Sequence, residues 1–286
     1  MVHAIFQQHR PRLFGIAYRM LGSRADAEDA LQDVYLRWHG ADHQQLQMPE
    51  AWLVTVTTRL CIDRLRAAKH ARAEYTGPWL PEPLVSELHA PHAAVEAAND
   101  LSIALLNILE RLSPEERAAF LLREVFDVDY DEIARILDKS LEACRQLVHR
   151  AKSRVREGRP RFEVSAEAHR KLLEKFAEAA RTGDPRQMLE VLAPDALMVS
   201  DGGGKVIAAL RVLHGAERLL RLFARIAETG GAHISYRLAA VNGEIGVLRL
   251  YDGRLDSVYA FVTDGDRVHE IYTVRNPEKL AAISLQ

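Results

Sequence analysis

The hydrophobic periodicity of this 286-residue chain changes once, near Pro160, and that change constrains its fold more than any other feature. Before it, apolar residues recur at three- and four-residue steps, the spacing of a helix face. After it, several runs alternate at period two, the spacing of a half-buried strand. A second break lies inside the helical part. TGPWLPEPLVSELHAPH, residues 76–92, holds four prolines and cannot continue a helix. The length allows two or three compact units, each with its own core. The expected organisation is an all-α module over 1–74, a Pro-rich linker over 75–97, a second all-α module over 98–160 and an α+β domain over 163–286.

Several function classes are excluded early. No run approaches the roughly 18 to 20 apolar residues that span a bilayer, and MVHAIFQQHRPRLF has no apolar segment ahead of a cleavage site, so a cytoplasmic protein with no membrane partner is expected. Cys61 and Cys144 fall on apolar helix faces about eighty residues apart and read as buried thiols. Neither C-x-x-C nor H-E-x-x-H occurs. No metal and no cofactor is expected.

Residues 129–161 carry the strongest functional signal. Asp129 and Glu132 form a candidate capping box, Ile133, Ala134 and Leu137 supply an apolar stripe, and Asp138-Lys139 make a turn. Ser140 caps a second helix, whose apolar positions are Leu141, Cys144, Leu147, Val148, Ala151 and Val155. Glu142, Arg145, Gln146, His149 and Arg150 must then face outward, with Arg154 one turn on. Between Cys144 and Phe162 stand seven Lys or Arg against one Glu, on a chain of formal net charge -2. Concentrated cation on a helix-turn-helix is the electrostatic footprint of a phosphate backbone; the alternative is two packed helices with a solvated basic face.

The N-terminal module adds two surfaces. A helix over 11–21 stops at Gly22, and the helix over 24–39 buries Ala27, Ala30, Leu31, Val34 and Trp38. Glu28, Asp29, Gln32 and Asp33 are left as an acidic-polar ridge, suited to a basic protein partner or merely solvated. In the next helix, opened by Pro49, the run 54–58 would suit a strand by propensity, but Leu53, Val56 and Leu60 keep the helical period. Arg59, Arg64, Arg66, Lys69 and Arg72 make a basic surface with Trp52 and Tyr75 near its ends. Cations beside aromatics suit melting nucleic acid, although Trp52 could equally be core.

Taken together, ADAEDALQDVYLRWH (25–39), AWLVTVTTRLCIDRLR (51–66) and LSPEERAAFLLREVFDVDYDEIARILDKSLEACRQLVHRAKSRV (112–155) resemble a bacterial extracytoplasmic-function (ECF) RNA polymerase sigma factor. The resemblance covers residues 1 to about 160. It implies a σ2 helical bundle that binds core RNA polymerase through Asp29, Gln32 and Asp33 and contacts the melted -10 element through Arg59, Arg66 and an extruded base held by residues 42–49. It further implies a σ4 helix-turn-helix that reads the -35 duplex through Glu142, Arg145, Gln146, His149, Arg150 and Arg154.

WLPEP (79–83), DGGGK (201–205) and NPEKL (276–280) resemble the signature of the SigJ-like group, in which the sigma modules carry a SnoaL-like domain of NTF2 fold. Glu278 stands where that group commonly has Asp. The resemblance implies an α+β cone with a pocket that could take a small molecule. It also implies regulation in cis through Trp79, Leu80 and Pro81 against Asp201, Gly202, Gly203, Gly204, Lys205, Asn276, Pro277, Lys279 and Leu280. Such a domain could make a separate anti-sigma factor unnecessary. An enzyme fused at this position would need a tuned acid or base, and Asp195, Asp252, Asp256, His233 and His269 form no constellation in the sequence, so none is expected. A helix-turn-helix regulator with a ligand-sensing or enzymatic NTF2-like domain is the rival reading. It leaves the acidic ridge unexplained.

Overall fold

The computed structural model describes residues 2–43, 46–86, 88, 101–158 and 162–284, with the side chains of 69–71 and 73 left aside. The chain forms two compact units. One comprises Met1–Ala73 with Leu105–Arg159, the other Glu74–Ala104 with Pro160–Gln286.

The first unit is helical: α1 (Val2–Leu21), α2 (Arg24–His39), α3 (Pro49–Ala73), α4 (Ile103–Leu109, its first two residues belonging to the other unit), α5 (Pro114–Glu124), α6 (Tyr130–Leu137) and α7 (Leu141–Gly158). Helix α1 begins nine residues before the expected Pro11. Phe6 is buried there and the Trp38 indole donates to Val2 O at 2.9 Å, so tertiary contacts carry the helix through its proline. Gly22 takes the left-handed conformation that ends it, and Ser23 caps α2 by accepting from Asp26 N. In α3 the β-branched run stays helical because Leu53 and Val54 are buried and the Thr55 and Thr57 hydroxyls donate back to Ala51 O and Leu53 O. Cys61 and Cys144 are free and buried, and burial pushes the Cys61 thiol up to about 12.

The second unit contains β1 (Val85–Ser86), α8 (Ala166–Thr182), α9 (Pro185–Val191), β2 (Leu192–Asp201), β3 (Leu213–His214), α10 (Ala216–Gly230), β4 (Ile234–Val241), β5 (Glu244–Tyr251), β6 (Arg254–Thr263), β7 (Val268–Val274) and α11 (Pro277–Leu280). Its sheet runs β1-β4-β5-β6-β7-β2-β3, antiparallel except where β2 lies parallel to β7. Helices α8 and α10 cover one face through Phe176, Leu219 and Phe223 against Val247, Tyr259 and Phe261. The opposite face buries Leu80 among Val199, Leu248, Val258 and Tyr272. This is the expected NTF2-like α+β arrangement.

Asn242-Gly243 and Asp252-Gly253 hold the positive φ pairs that tight hairpins need. The sequence pattern missed β2. Pro194 and Asp195 interrupt its alternation, and the structure absorbs them in a register shift between Leu192 and Leu197. Over its described part, the Pro-rich segment is not an open tether. Leu84 O accepts from Asn242 N, and Val85 and Ser86 pair with Val241 and Ala240 as an added edge strand. Its remainder, residues 87 and 89–97, lies outside the described residues, as do 98–100.

Candidate functional sites

The helix-turn-helix is α6 and α7. Asp138 turns through a left-handed conformation and Lys139 N bonds Ala134 O, fixing the angle between the helices. Ser140 caps α7 by accepting from Ala143 N. Cys144, Leu147, Val148, Ala151 and Val155 are buried, while Glu142, Arg145, Gln146 and His149 face solvent. In α6 the core contacts come from Ile133 and Ile136 and less from Ala134 and Leu137.

The expected Asp129 capping box does not form. Asp129 makes no side-chain cap bond and its carboxylate lies 3.6 Å from Arg123; the capping box belongs to Ser113 and Glu116 at the start of α5. Glu116 also receives Arg150 at 3.1 Å and Arg154 at 2.7 Å. Burial works to raise the Glu116 carboxyl, but hydrogen bonds from Ser113 and Arg150 outweigh it and hold it below the ordinary carboxylate range. Arg150 and Arg154 are therefore anchored to the neighbouring helix. Arg145 sits over the Tyr130 ring at 5.8 Å and reaches outward.

On α2, Asp29 and Gln32 are exposed and Asp33 is paired with Arg64 at 2.7 Å. Leu36, 65% exposed, extends the same ridge one turn further; the sequence reading missed it. Its signal was an apolar residue off the Ala27, Leu31, Val34 and Trp38 stripe.

The α3 cations are bonded within the first unit, although Arg59 and Arg66 stay exposed. Arg59 donates to Ile136 O at 2.7 Å and Arg135 O at 2.8 Å, Arg66 to Glu115 and Asp63, and Arg72 to Leu21 O and Glu110. Trp52 packs on Trp38, with ring centroids 5.5 Å apart. Tyr75 belongs to the second unit. Lys69 lies outside the described side chains, as do residues 44 and 45 of the 42–49 segment.

In the second unit the three signature segments meet around Asp201, a fully buried carboxylate. It accepts from the Tyr75 hydroxyl at 2.6 Å, Leu80 N at 2.9 Å, Gly203 N at 3.0 Å and Lys279 Nζ at 2.7 Å. Lys279 also donates to Leu80 O and lies 4.0 Å above the Trp79 ring. Asn276 donates to the Tyr75 oxygen and caps α11, whose first residue is Pro277 and whose Leu280 is buried. Gly203 has φ +62, and a Cβ there would come within 2.4 Å of Asn276. Lys205 pairs with Glu278, the residue that departs from the group pattern. Pro81 is buried. Burial, reinforced by Asp201, raises the Tyr75 hydroxyl, which remains a donor at neutral pH.

A two-module helical unit with a basic helix-turn-helix, in one chain with an NTF2-like unit that grips the proline segment, defines a class of transcription factors. The Sigma-70 region 2 family matches residues 5–71 and the Sigma-70, region 4 family matches residues 102–155. The chain is 35% identical to the ECF RNA polymerase sigma factor SigJ of Mycobacterium tuberculosis, over 98% of this chain and 94% of that protein. It is 30% identical, with the same coverage, to a protein of that organism described as a probable ECF RNA polymerase sigma factor SigI. The crystal structure of the M. tuberculosis ECF sigma factor SigJ superimposes with a TM-score of 0.79 at 34% identity, covering 98% of this chain and 99% of that one. The chain belongs to the extracytoplasmic-function family of RNA polymerase sigma factors and is SigJ-like, with a C-terminal NTF2-like domain. Sigma factors bind core RNA polymerase and promoter DNA. No described helix is long and apolar enough to cross a membrane.

Proposed function

We propose that this sigma factor acts in the cytoplasm and that its C-terminal unit controls it in cis by holding the proline segment. The carrying observation is Asp201, which fastens Tyr75, Leu80 and Lys279 to one buried carboxylate. Because residues 74–86 lead out of α3, their capture limits how the helical modules reach paired promoter elements, a form of effective-concentration control. The unit is read as regulatory and not catalytic. Four of the five candidate acids and bases are paired locally: His233 with Asp252, His269 with Asp264, and Asp256 with Arg249 and Arg275.

In the same reading, Arg145, Gln146 and His149, with Glu142 beside them, read base edges of the -35 duplex, while Arg150 and Arg154 neutralise phosphate from their anchored positions. Arg59 and Arg66 meet the melted -10 strand, and Asp29, Gln32 and Asp33, with Leu36, meet the core polymerase. Asp29→Lys combined with Leu36→Glu should abolish capture of core polymerase on a native gel while leaving the melting temperature unchanged, since both side chains are exposed. Holoenzyme at the wild-type concentration would show that this ridge is only solvated.

A further inference from the structure

The ring of Tyr130 stands where three helices of the helix-turn-helix module converge. Tyr130 opens α6, and the guanidinium carbons of Arg123, in the last turn of α5, and Arg145, in α7, lie 5.1 Å and 5.8 Å from its centroid. Arg123 is itself fixed. It donates to the carbonyl of the buried Val128 at 3.1 Å and lies 3.7 Å and 3.6 Å from the Asp127 and Asp129 carboxylates. Arg145 is held differently. Among the described residues no carboxylate pairs with it, whereas Arg150 and Arg154 share Glu116. A carboxylate occupies the in-plane N–H donors with which a guanidinium grips the paired acceptors of a guanine edge, while a ring attracts the cation through its π-face and leaves those donors free. A ring can thus restrain an exposed arginine without using up the groups that read DNA.

We propose that Tyr130 is a positioning residue for -35 recognition: steadied by Arg123, its ring orders the Arg145 guanidinium before the duplex arrives. The inference rests on reading Arg145 as a base contact. It adds the residue through which that contact is prearranged.

The test is transcription by holoenzyme, assembled from the full chain and core RNA polymerase, on barcoded templates built from one mapped start site with the -35 element randomised. The readout is the base preference at each position, a ratio among templates in one reaction, so a smaller folded fraction lowers the yield without moving it. Arg145→Ala should flatten the preference at one position. Tyr130→Leu should lower the preference at that same position by roughly two- to fivefold, the range of an exposed cation–ring contact, and leave the other positions alone. Tyr130→Phe, which keeps the ring, should retain it, and Tyr130→Leu with Arg145→Ala should match Arg145→Ala alone. If Arg145→Ala flattens no position, the base-contact reading falls and the proposal falls with it. If Arg145→Ala flattens one but Tyr130→Leu spares it, or weakens every position alike, Arg145 still reads a base and the positioning role is overturned. A Tyr130→Phe variant that behaves like Tyr130→Leu also overturns it, because the ring alone is then not what orders Arg145.

Discussion

Asp201 is the residue on which the second unit's grip depends, and its chemistry sets the cost of losing it. It lies in the core with a cation, a phenol and two backbone N–H groups as donors, so no lone pair is left for water. Asp201→Asn keeps the volume but leaves Lys279, 11% exposed, without its counter-charge. The expected loss is about 3 kcal/mol, seen as a lower melting temperature of the second unit together with a change in Trp79 fluorescence. Gly203→Ala should cost about 1 to 3 kcal/mol by a different route, since both its φ and the Asn276 side chain exclude a Cβ. An unchanged melt in either variant contradicts this account. Asp201 was legible in the sequence only through a family signature, and Tyr75 only as an aromatic near the α3 cations. Asp201 and Tyr75 are 126 positions apart, and nothing local in either segment specifies that hydrogen bond.

At the scale of elements, the helix-turn-helix was legible because one side of α7 is apolar at every helical step, which fixes the other side as solvent-facing. What the pattern could not say is which outward arginines are committed to a neighbour. Arg145 and Arg154 look alike in sequence, yet Arg154 reaches the buried Glu116 and Arg145 does not. Arg145→Ala should therefore weaken -35 duplex binding by about 1 to 3 kcal/mol with no change in melting, whereas Arg154→Ala should lower the melting temperature as well. Glu116→Gln should destabilise the module by about 2 to 3 kcal/mol at neutral pH. The depressed Glu116 carboxyl contributes stability that is present above its unfolded pKa of about 4.3 and is lost as pH falls through the lower folded value. Wild type and Glu116→Gln should thus converge in melting temperature under acid. β2 escaped the sequence for the converse reason: Pro194 and Asp195 hide a strand whose pairing is set by β7, far along the chain, and not by its own alternation.

For the whole molecule, the helical unit serves polymerase and promoter, and the proposed role of the second unit is control of the proline segment. Loss of either the Trp79 ring or the Lys279 ammonium undoes the same contact, so Trp79→Ala and Lys279→Met should change transcription in the same direction, with a double mutant no stronger than the more severe single one. Strictly additive effects would mean the two side chains act separately. The most direct measurement is run-off transcription on fragmented genomic DNA with purified core RNA polymerase, comparing the full chain with Asp201→Asn and mapping every 5′ end. Defined start sites that share paired -35 and -10 elements are expected, with Asp201→Asn using the same sites at an altered yield. Transcripts with the same starts and the same yield from both proteins, at equal holoenzyme concentration, would contradict control of initiation by the second unit.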